Sequence, residues 1–145
     1  MEIDIRSPRT ENEWNDYYDL RYRILRKPLG QPLGSEKNGG DETGEHFALY
    51  ENNILKAIAR LDKFKEGIAQ VRFVAVEKET QKKGFGKKIM LAVEEKAKND
   101  ENGYMILHAR DYAIEFYLKL DYQLVEKSYK LFDILQHYLM EKKLI

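Results

Sequence analysis

The sequence predicts an α+β fold in which helices flank a mixed, mostly antiparallel sheet. Two observations carry that prediction: apolar residues alternate or cluster in seven β-like runs, and three segments between them place apolar residues at helical spacing. The resulting order is β, α, loop, β, β, β, α, β, α, β, β, which suits helices packed on a single sheet. Ile3 and Ile5 alternate with charges, as in a short strand with one buried face. Thr10 followed by Glu13 forms a capping box, and Trp14, Tyr17, Tyr18, Ile24 and Leu25 then share a helical stripe that Pro28 stops. Residues 28–45, with Pro28, Gly30, Pro32, Gly34, Gly39, Gly40 and Gly44, form the longest irregular stretch, and a loop of that length is usually functional or mobile. His46 to Tyr50 and Ile54 to Leu61 are two strands joined at Asn52-Asn53, and Lys63 to Glu66 break the pattern. Ile68 to Val76 is a third strand. Gly86, Ile89, Met90, Val93 and Ala97 mark one face of a helix that ends near Asn99 to Gly103. Tyr104 to Ala109 is a strand, Ala113, Phe116, Tyr117 and Leu120 stripe a short helix, and residues 122–142 hold two apolar-rich runs divided near Phe132 and Asp133.

One domain over residues 1–145 is expected, because a 17.2 kDa chain can bury a core without metal or disulfide staples. Neither a repeat nor a linker interrupts it. Twenty-five basic residues offset 25 acidic ones, so no global field concentrates the chain on nucleic acid or an anionic membrane, and neither is expected as a partner. The absence of Cys removes a disulfide framework, a thiol nucleophile and thiolate-bound zinc, and no His and carboxylate set has metal-ligand spacing. The first residues alternate apolar with charged, and no apolar run approaches the roughly 20 residues of a membrane span, so a cytoplasmic location is the default.

Gln81-Lys82-Lys83-Gly84-Phe85-Gly86-Lys87 lies between a strand and a helix start. Glycines there allow a tight turn and close approach to a ligand, and the unpaired amides of a helix N-terminus favour an anion. Lys82, Lys83, Lys87 and Lys88 add local positive charge in a neutral chain. A phosphate group is the natural guest, yet neither a Walker loop nor a dinucleotide fingerprint is present. Taken alone, the turn is also compatible with a structural role in which the lysines are merely solvated.

Gln81-x-x-Gly84-x-Gly86, following the strand Val71-Arg72-Phe73-Val74-Ala75-Val76, resembles the acetyl-CoA motif of the GNAT superfamily, Gln/Arg-x-x-Gly-x-Gly/Ala. Ala113-Ile114-Glu115-Phe116-Tyr117-Leu118-Lys119-Leu120-Asp121-Tyr122 is similar to that family's second cofactor segment, and the order of elements matches over essentially the whole chain. The resemblance implies a GNAT-like acyl-CoA N-acyltransferase fold and transfer of an acetyl group from acetyl-CoA to a primary amine by direct attack, with no metal. It implies that the backbone of Val74, Ala75 and Val76 pairs with the pantetheine arm and that the amides of Gln81, Lys82, Lys83, Gly84, Phe85, Gly86 and Lys87 cradle the pyrophosphate. It places Tyr117 near the thioester sulfur as general acid, a role that suits a phenol with a pKa near ~10. On the apolar stripe 113, 116, 117, 120, the same residue also reads as a core aromatic.

The base departs from the family pattern. Some members carry a Glu on the fourth strand, and the matching position here is Gln70, which has no useful basicity. Glu45, His46 or a water chain are the substitutes, while His108 and His137, inside strand-like runs, read as structural. Arg110 stands where an Asn is frequent and is expected to contact cofactor or substrate, and Asp121 replaces a Gly and alters only a turn.

Two acceptor chemistries stay open. Glu36, Asp41, Glu42 and Glu45 concentrate acid in the long loop and could attract an amine, whereas Arg21, Arg23 and Arg26 could recognise an acceptor carboxylate. A small amine, an amino-acid-like compound and a peptide or protein lysine are all compatible. The missing Glu leaves a second reading, a non-catalytic acyl-CoA-binding regulatory or interaction module. A homodimer also stays open, because dimers are frequent in that family.

Overall fold

A computed structural model describes residues 2–145, except for the side chain of Gln81. Seven strands form one sheet: β1 (Ile3–Arg6), β2 (Glu45–Glu51), β3 (Ile54–Lys65), β4 (Ile68–Val76), β5 (Tyr104–Arg110), β6 (Gln123–Leu131) and β7 (Leu135–Lys143). The helices are α1 (Glu11–Leu25), α2 (Phe85–Asn99) and α3 (Ile114–Leu118), so the predicted order of strands and helices is present in full. The spatial order is β1-β2-β3-β4-β5-β7-β6, with β4 and β5 parallel and every other pair antiparallel. This is the mixed, mostly antiparallel sheet with flanking helices that the sequence predicts.

Two apolar clusters lie on opposite faces. α2 contributes Phe85, Ile89, Met90, Val93 and Ala97 to a core that includes Leu49, Val71, Met105, Leu107 and Met140 from the sheet. α1 contributes Tyr17, Leu20 and Leu25 to a second cluster with Ala48, Tyr50, Ile58 and Ala75. The alternation of the strands makes this possible, since successive side chains point to opposite faces and each face meets its own helix. Thr10 caps α1 by accepting from the Glu13 amide at 3.1 Å, as its sequence predicts.

Turns follow local chemistry. Asn52 (φ 50°) and Asn53 (φ 70°) form the two-residue turn that joins β2 to β3, and Phe132 (φ 52°) and Asp133 (φ 60°), with Ile134, form the three-residue connection of β6 to β7; each turn requires positive φ twice. β3 runs to Lys65, past the break expected at Lys63, because Asp62 to Lys65 still pair with Ile68 to Gln70. Their side chains are mostly exposed there, so backbone pairing alone carries the strand without the apolar pattern that marks its buried half.

The long connection is less irregular than its glycines suggest. It contains 3-10 turns at Lys27–Leu29 and Gly39–Asp41, and two arginines tie it down. Arg21 donates to the Glu36 carbonyl oxygen at 3.2 Å and to Asp41 Oδ1 at 2.8 Å, and Arg60 donates to Asp41 Oδ1 at 2.9 Å and Asn38 Oδ1 at 2.7 Å. Both guanidiniums are fully buried.

Candidate active site

β4 and β5 pair over only three positions, Ile68 with Tyr104, Ala69 with Met105 and Gln70 with Ile106. Beyond Gln70 the two parallel strands splay. Among the described residues the β5-facing backbone edge of Val71 to Ala75 therefore has no strand partner and can receive an extended ligand as an added strand would. A cleft of about 400 Å³ opens between them, walled by β4 from Gln70 to Val76 and by β5 from Leu107 to Arg110.

A bulge shapes the β4 wall. Ile58 pairs with Ala75 and Arg60 with Arg72, so β4 carries one residue more than β3 across that interval, and Phe73 lies at φ 56°. An aromatic residue in the left-handed region costs roughly 1–2 kcal/mol. Four guanidiniums surround its ring, Arg21 at 4.3 Å, Arg60 at 4.9 Å, Arg72 at 5.0 Å and Arg26 at 5.5 Å from the centroid, and such cation–π contacts offset the strain.

At one mouth of the cleft α2 begins. Gly84 is its N-cap at φ 79°, no side chain among the described residues caps it, and the first intrahelical bond runs from the Lys88 amide to the Gly84 oxygen at 3.0 Å. The amides of Phe85, Gly86 and Lys87 thus have no intrahelical acceptor and face a region suited to an anion. A Cβ on Gly86 would lie 3.1 Å from Phe116 Cζ, so a glycine is needed for α2 and α3 to approach this closely. Gly84, Gly86 and Lys87 line the cleft, whereas the Phe85 side chain is core and only its backbone can serve a ligand. Lys82 and Lys83 are exposed, with Lys83 3.9 Å from Glu51. Gln81 sits in the 3-10 turn Lys78–Lys83 before the helix, and its side chain lies outside the described residues.

Tyr117, on α3, lines the cleft at 7 % exposure and packs edge-on against Phe116 and Tyr122. Burial pushes its phenol well above the ordinary tyrosine pKa. Val74, Ala75, Val76 and Arg110 also line the cleft. Arg110 donates to the Leu25 carbonyl oxygen at 2.7 Å and to the Tyr112 hydroxyl at 3.0 Å.

The two residues suggested as bases stand elsewhere. Glu45 is exposed and lies 3.5 Å from Lys96 on α2. His46 has both nitrogens engaged: Nε2 donates to the Asp41 carbonyl oxygen at 2.9 Å, which leaves Nδ1 to accept from the Tyr17 hydroxyl at 2.8 Å. Trp14 packs edge-on against its ring, so His46 anchors α1 to β2. Among the acids of the long connection, Glu36 is buried and Asp41 is bound by arginines. Arg21 pairs with Asp41 and Arg23 with Glu77 and Asp19, which leaves Arg26 as the member of that trio lining the cleft.

Sequence reasoning passed over Arg72, and it read His108 and His137 as structural; all three line the cleft. The signal was available: Gln70 and Arg72 on β4, and His108 and Arg110 on β5, are alternate polar residues in strands whose intervening positions are apolar. His108 offers Nδ1 to the Ser128 hydroxyl at 3.0 Å, and its Nε2 has no hydrogen-bond partner among the described residues. Burial, then the neighbouring Arg72, hold its pKa below the usual histidine value, so it is neutral at pH 7.

The family model described as "Acetyltransferase (GNAT) domain" matches residues 33–144. The chain belongs to the GNAT acetyltransferase family. GNAT relatives resemble it at low identity. "Uncharacterized N-acetyltransferase YjcF" of Bacillus subtilis (strain 168) is 25 % identical over 120 residues, covering 83 % of this chain and 85 % of that protein. An aminoglycoside 6'-N-acetyltransferase solved with coenzyme A superposes at a TM-score of 0.83 with 14 % identity, over 100 % of this chain and 98 % of that one. Escherichia coli ElaA superposes at 0.81 with 17 % identity, over 98 % and 99 %. At these identities the superpositions speak to the GNAT fold, with its mixed sheet and flanking helices.

Proposed function

We propose that this GNAT protein transfers the acetyl group of acetyl-CoA to a primary amine by direct attack within the β4/β5 cleft. The observation that carries the reading is the joining of one continuous cleft to three features: a β4 edge from Val71 to Ala75 without a strand partner among the described residues, a helix N-terminus behind a glycine turn that no described side chain caps, and a buried tyrosine. The backbone of Val74, Ala75 and Val76 receives the pantetheine arm, and the amides from Gln81 to Lys87 receive the pyrophosphate, helped by Lys87. Arg110 holds the far wall of the cleft.

Acetyl-CoA supplies the acyl group as a thioester. The amine nitrogen forms a bond to the acyl carbon as the carbon–sulfur bond breaks, and the chain manages two protons. His108, neutral and with Nε2 free, accepts the proton lost by the amine, in place of Glu45 or His46. Tyr117, held protonated by burial, donates to the departing sulfur. A backbone amide beside the bulge, near Val74, polarises the carbonyl.

The test is a calorimetric titration with acetyl-CoA on the wild type and on Gly84→Glu, which places bulk and negative charge at the N-cap. Micromolar binding that disappears in the variant is the expected result. Absence of binding to the wild type would overturn the reading. Acetyl-CoA binding without thiol release in the presence of any amine would favour a non-catalytic CoA-binding module instead.

A further inference from the structure

The cleft passes through the sheet, and its two ends differ in chemistry. Val71 on β4 packs with the α2 cluster, so Gln70 and Arg72 project to the α1 side. The bulge then shifts the alternation: Phe73 and Ala75 remain with the α1 cluster, while Val74 and Val76 pack toward α2. On β5, Met105, Leu107 and Ala109 belong to the α2 cluster, which leaves His108 and Arg110 on the α1 side. His137 is the register partner of Arg110 and so shares that face, with Tyr129 stacked on it at 4.6 Å. Tyr117, Gly86 and Lys87, the donor end, lie on the opposite side with α2 and α3.

Three guanidiniums line the α1 side, and none has a carboxylate partner among the described residues. Arg26, only 8 % exposed, gives Nε to the Ser35 carbonyl oxygen and one terminal nitrogen to that of Leu25. Arg110 spends its bonds on Leu25 and Tyr112. Arg72 makes no hydrogen bond or ion pair with the described residues and lies against the face of Phe73. Arg6, Arg21, Arg23 and Arg60, by contrast, each pair with a carboxylate at 2.7–2.9 Å. No Asp or Glu is among the described residues lining the cleft. A chain with 25 acids that neutralises four arginines so closely leaves these three without a counter-ion in one half-buried place. Burial, then Arg110 and Arg72, depress the basicity of Arg26, as expected for cations that lack an anion.

Resting on the acetyl-transfer reading, we infer that the α1 side of the cleft is the acceptor pocket and that its substrate is an amine carrying a carboxylate. An amino-acid-like acceptor fits: its carboxylate meets the planar forks of Arg72, Arg26 and Arg110, its apolar part lies against Tyr129 and Leu131, and its amine points toward His108 and the passage between the strands. A bare polyamine is disfavoured by the same charges, and the acidic segment from Glu36 to Glu45 offers it no carboxylate in the cleft.

The experiment uses the full chain saturated with CoA, so that the glycine turn is already filled, and matched pairs of amino acid and decarboxylated amine: phenylalanine with phenethylamine, tyrosine with tyramine, lysine with cadaverine. Melting temperature is followed with each compound, and transfer is followed with acetyl-CoA by thiol release. The expected result is stabilisation by the amino acid of at least one pair and a kcat/KM at least about tenfold above that of its partner. Arg72→Gln should raise the KM for that amino acid about tenfold to a hundredfold, leave CoA affinity unchanged and erase the preference, while Arg72→Lys restores part of it. Equal responses within every pair, including none, or a preference for the decarboxylated members, overturn the inference. Failure of the wild type to bind CoA at all is a different result, and it strikes the acetyl-transfer reading itself.

Discussion

Arg110 reaches from the end of β5 to the Leu25 carbonyl oxygen, 2.7 Å away, and so ties the last turn of α1 to the strand across the cleft. α1 otherwise packs on β2, β3 and β4, on the near side of the splay, which makes this contact a strap over the opening. It also satisfies one of the terminal carbonyls that a helix leaves unpaired. Arg110→Ala should cost about 1–2 kcal/mol, since hydrogen bonds from a charged donor contribute about 1.5–3 kcal/mol and this one is partly exposed. A drop in melting temperature of about 2–8 °C is the corresponding readout. Acceptor KM should rise more than acetyl-CoA KM, because the strap closes the α1 side; equal changes in both would show that Arg110 serves the donor.

Tyr117→Phe isolates the hydroxyl. The ring keeps its contacts with Phe116 and Tyr122, so folding and acetyl-CoA affinity should stay near wild type. Turnover should fall by on the order of a hundredfold, the usual size of a lost general acid. Because burial raises the phenol pKa above its ordinary value of 10.0, Tyr117 stays protonated through the working range. The wild type should therefore show no alkaline loss of kcat below that pH. Undiminished kcat in the variant would return Tyr117 to a purely packing role.

His108 sets the opposite limb. A base must be unprotonated, and burial together with Arg72 lowers its pKa from 6.5, so activity should fall only as pH drops below that value. Arg72→Gln removes the positive neighbour, raises the His108 pKa and moves the acid limb to higher pH. His108→Gln should remove this limb along with most of the turnover. Profiles taken on one amine hold the acceptor's own titration constant, and an acid limb that ignores both substitutions would exclude His108 as the base.

Much of this architecture was legible in the sequence because each level pointed the same way. Thr10 and Glu13 start α1, the Asn52-Asn53 pair turns a hairpin, and Gly84 with Gly86 opens α2 where strand pattern gives way to helix pattern. The engagement of His46 was not legible because pairing partners are not local. His46 stands at the entrance to a strand, where a base could sit, but Tyr17, 29 residues away, and the Asp41 carbonyl occupy both its nitrogens. The acids of the long connection were likewise read as available when Asp41 belongs to Arg21 and Arg60. Which arginine is neutralised is decided by the fold, and that hid Arg72 as well.

Stability should rise with pH between the acid range and neutrality. His46, His108 and His137 all have pKa values held below 6.5, chiefly by burial, so between their folded values and 6.5 the unfolded chain binds more protons than the folded one. Stability is therefore complete above about pH 6.5 and declines as pH falls from there. A second loss follows at lower pH, where Glu13, held down to about 2 by Arg6, takes up a proton more readily in the unfolded chain, whose carboxyl titrates near 4.5. Urea midpoints measured from pH 7.5 to 4 should fall monotonically; a midpoint that rises toward pH 5 would contradict the neutral, buried state of the histidines.

Asp41 holds the deepest charges in the protein. Its Oδ1 accepts from Arg21 at 2.8 Å and Arg60 at 2.9 Å, and its Oδ2 accepts from the Asn38 amide at 3.0 Å. Arg60 keeps Asp62 if Asp41 is removed, with two bonds of 2.7 Å, but among the described residues Arg21 has no other carboxylate, and its Nε already lacks a partner there. Asp41→Ala therefore strands a fully buried cation and should cost about 3–5 kcal/mol, the usual penalty for breaking a buried pair. Glu42→Ala next to it, at an exposed position, should stay within about 0.5 kcal/mol and serves as the control. Arg21 also lies 4.3 Å from the Phe73 ring, so its displacement loosens the bulge that shapes the β4 wall. Residual activity of Asp41→Ala, measured well below its melting temperature, should show a raised KM for the acceptor; an unchanged KM would mean that the bulge holds its form without the arginine beneath it.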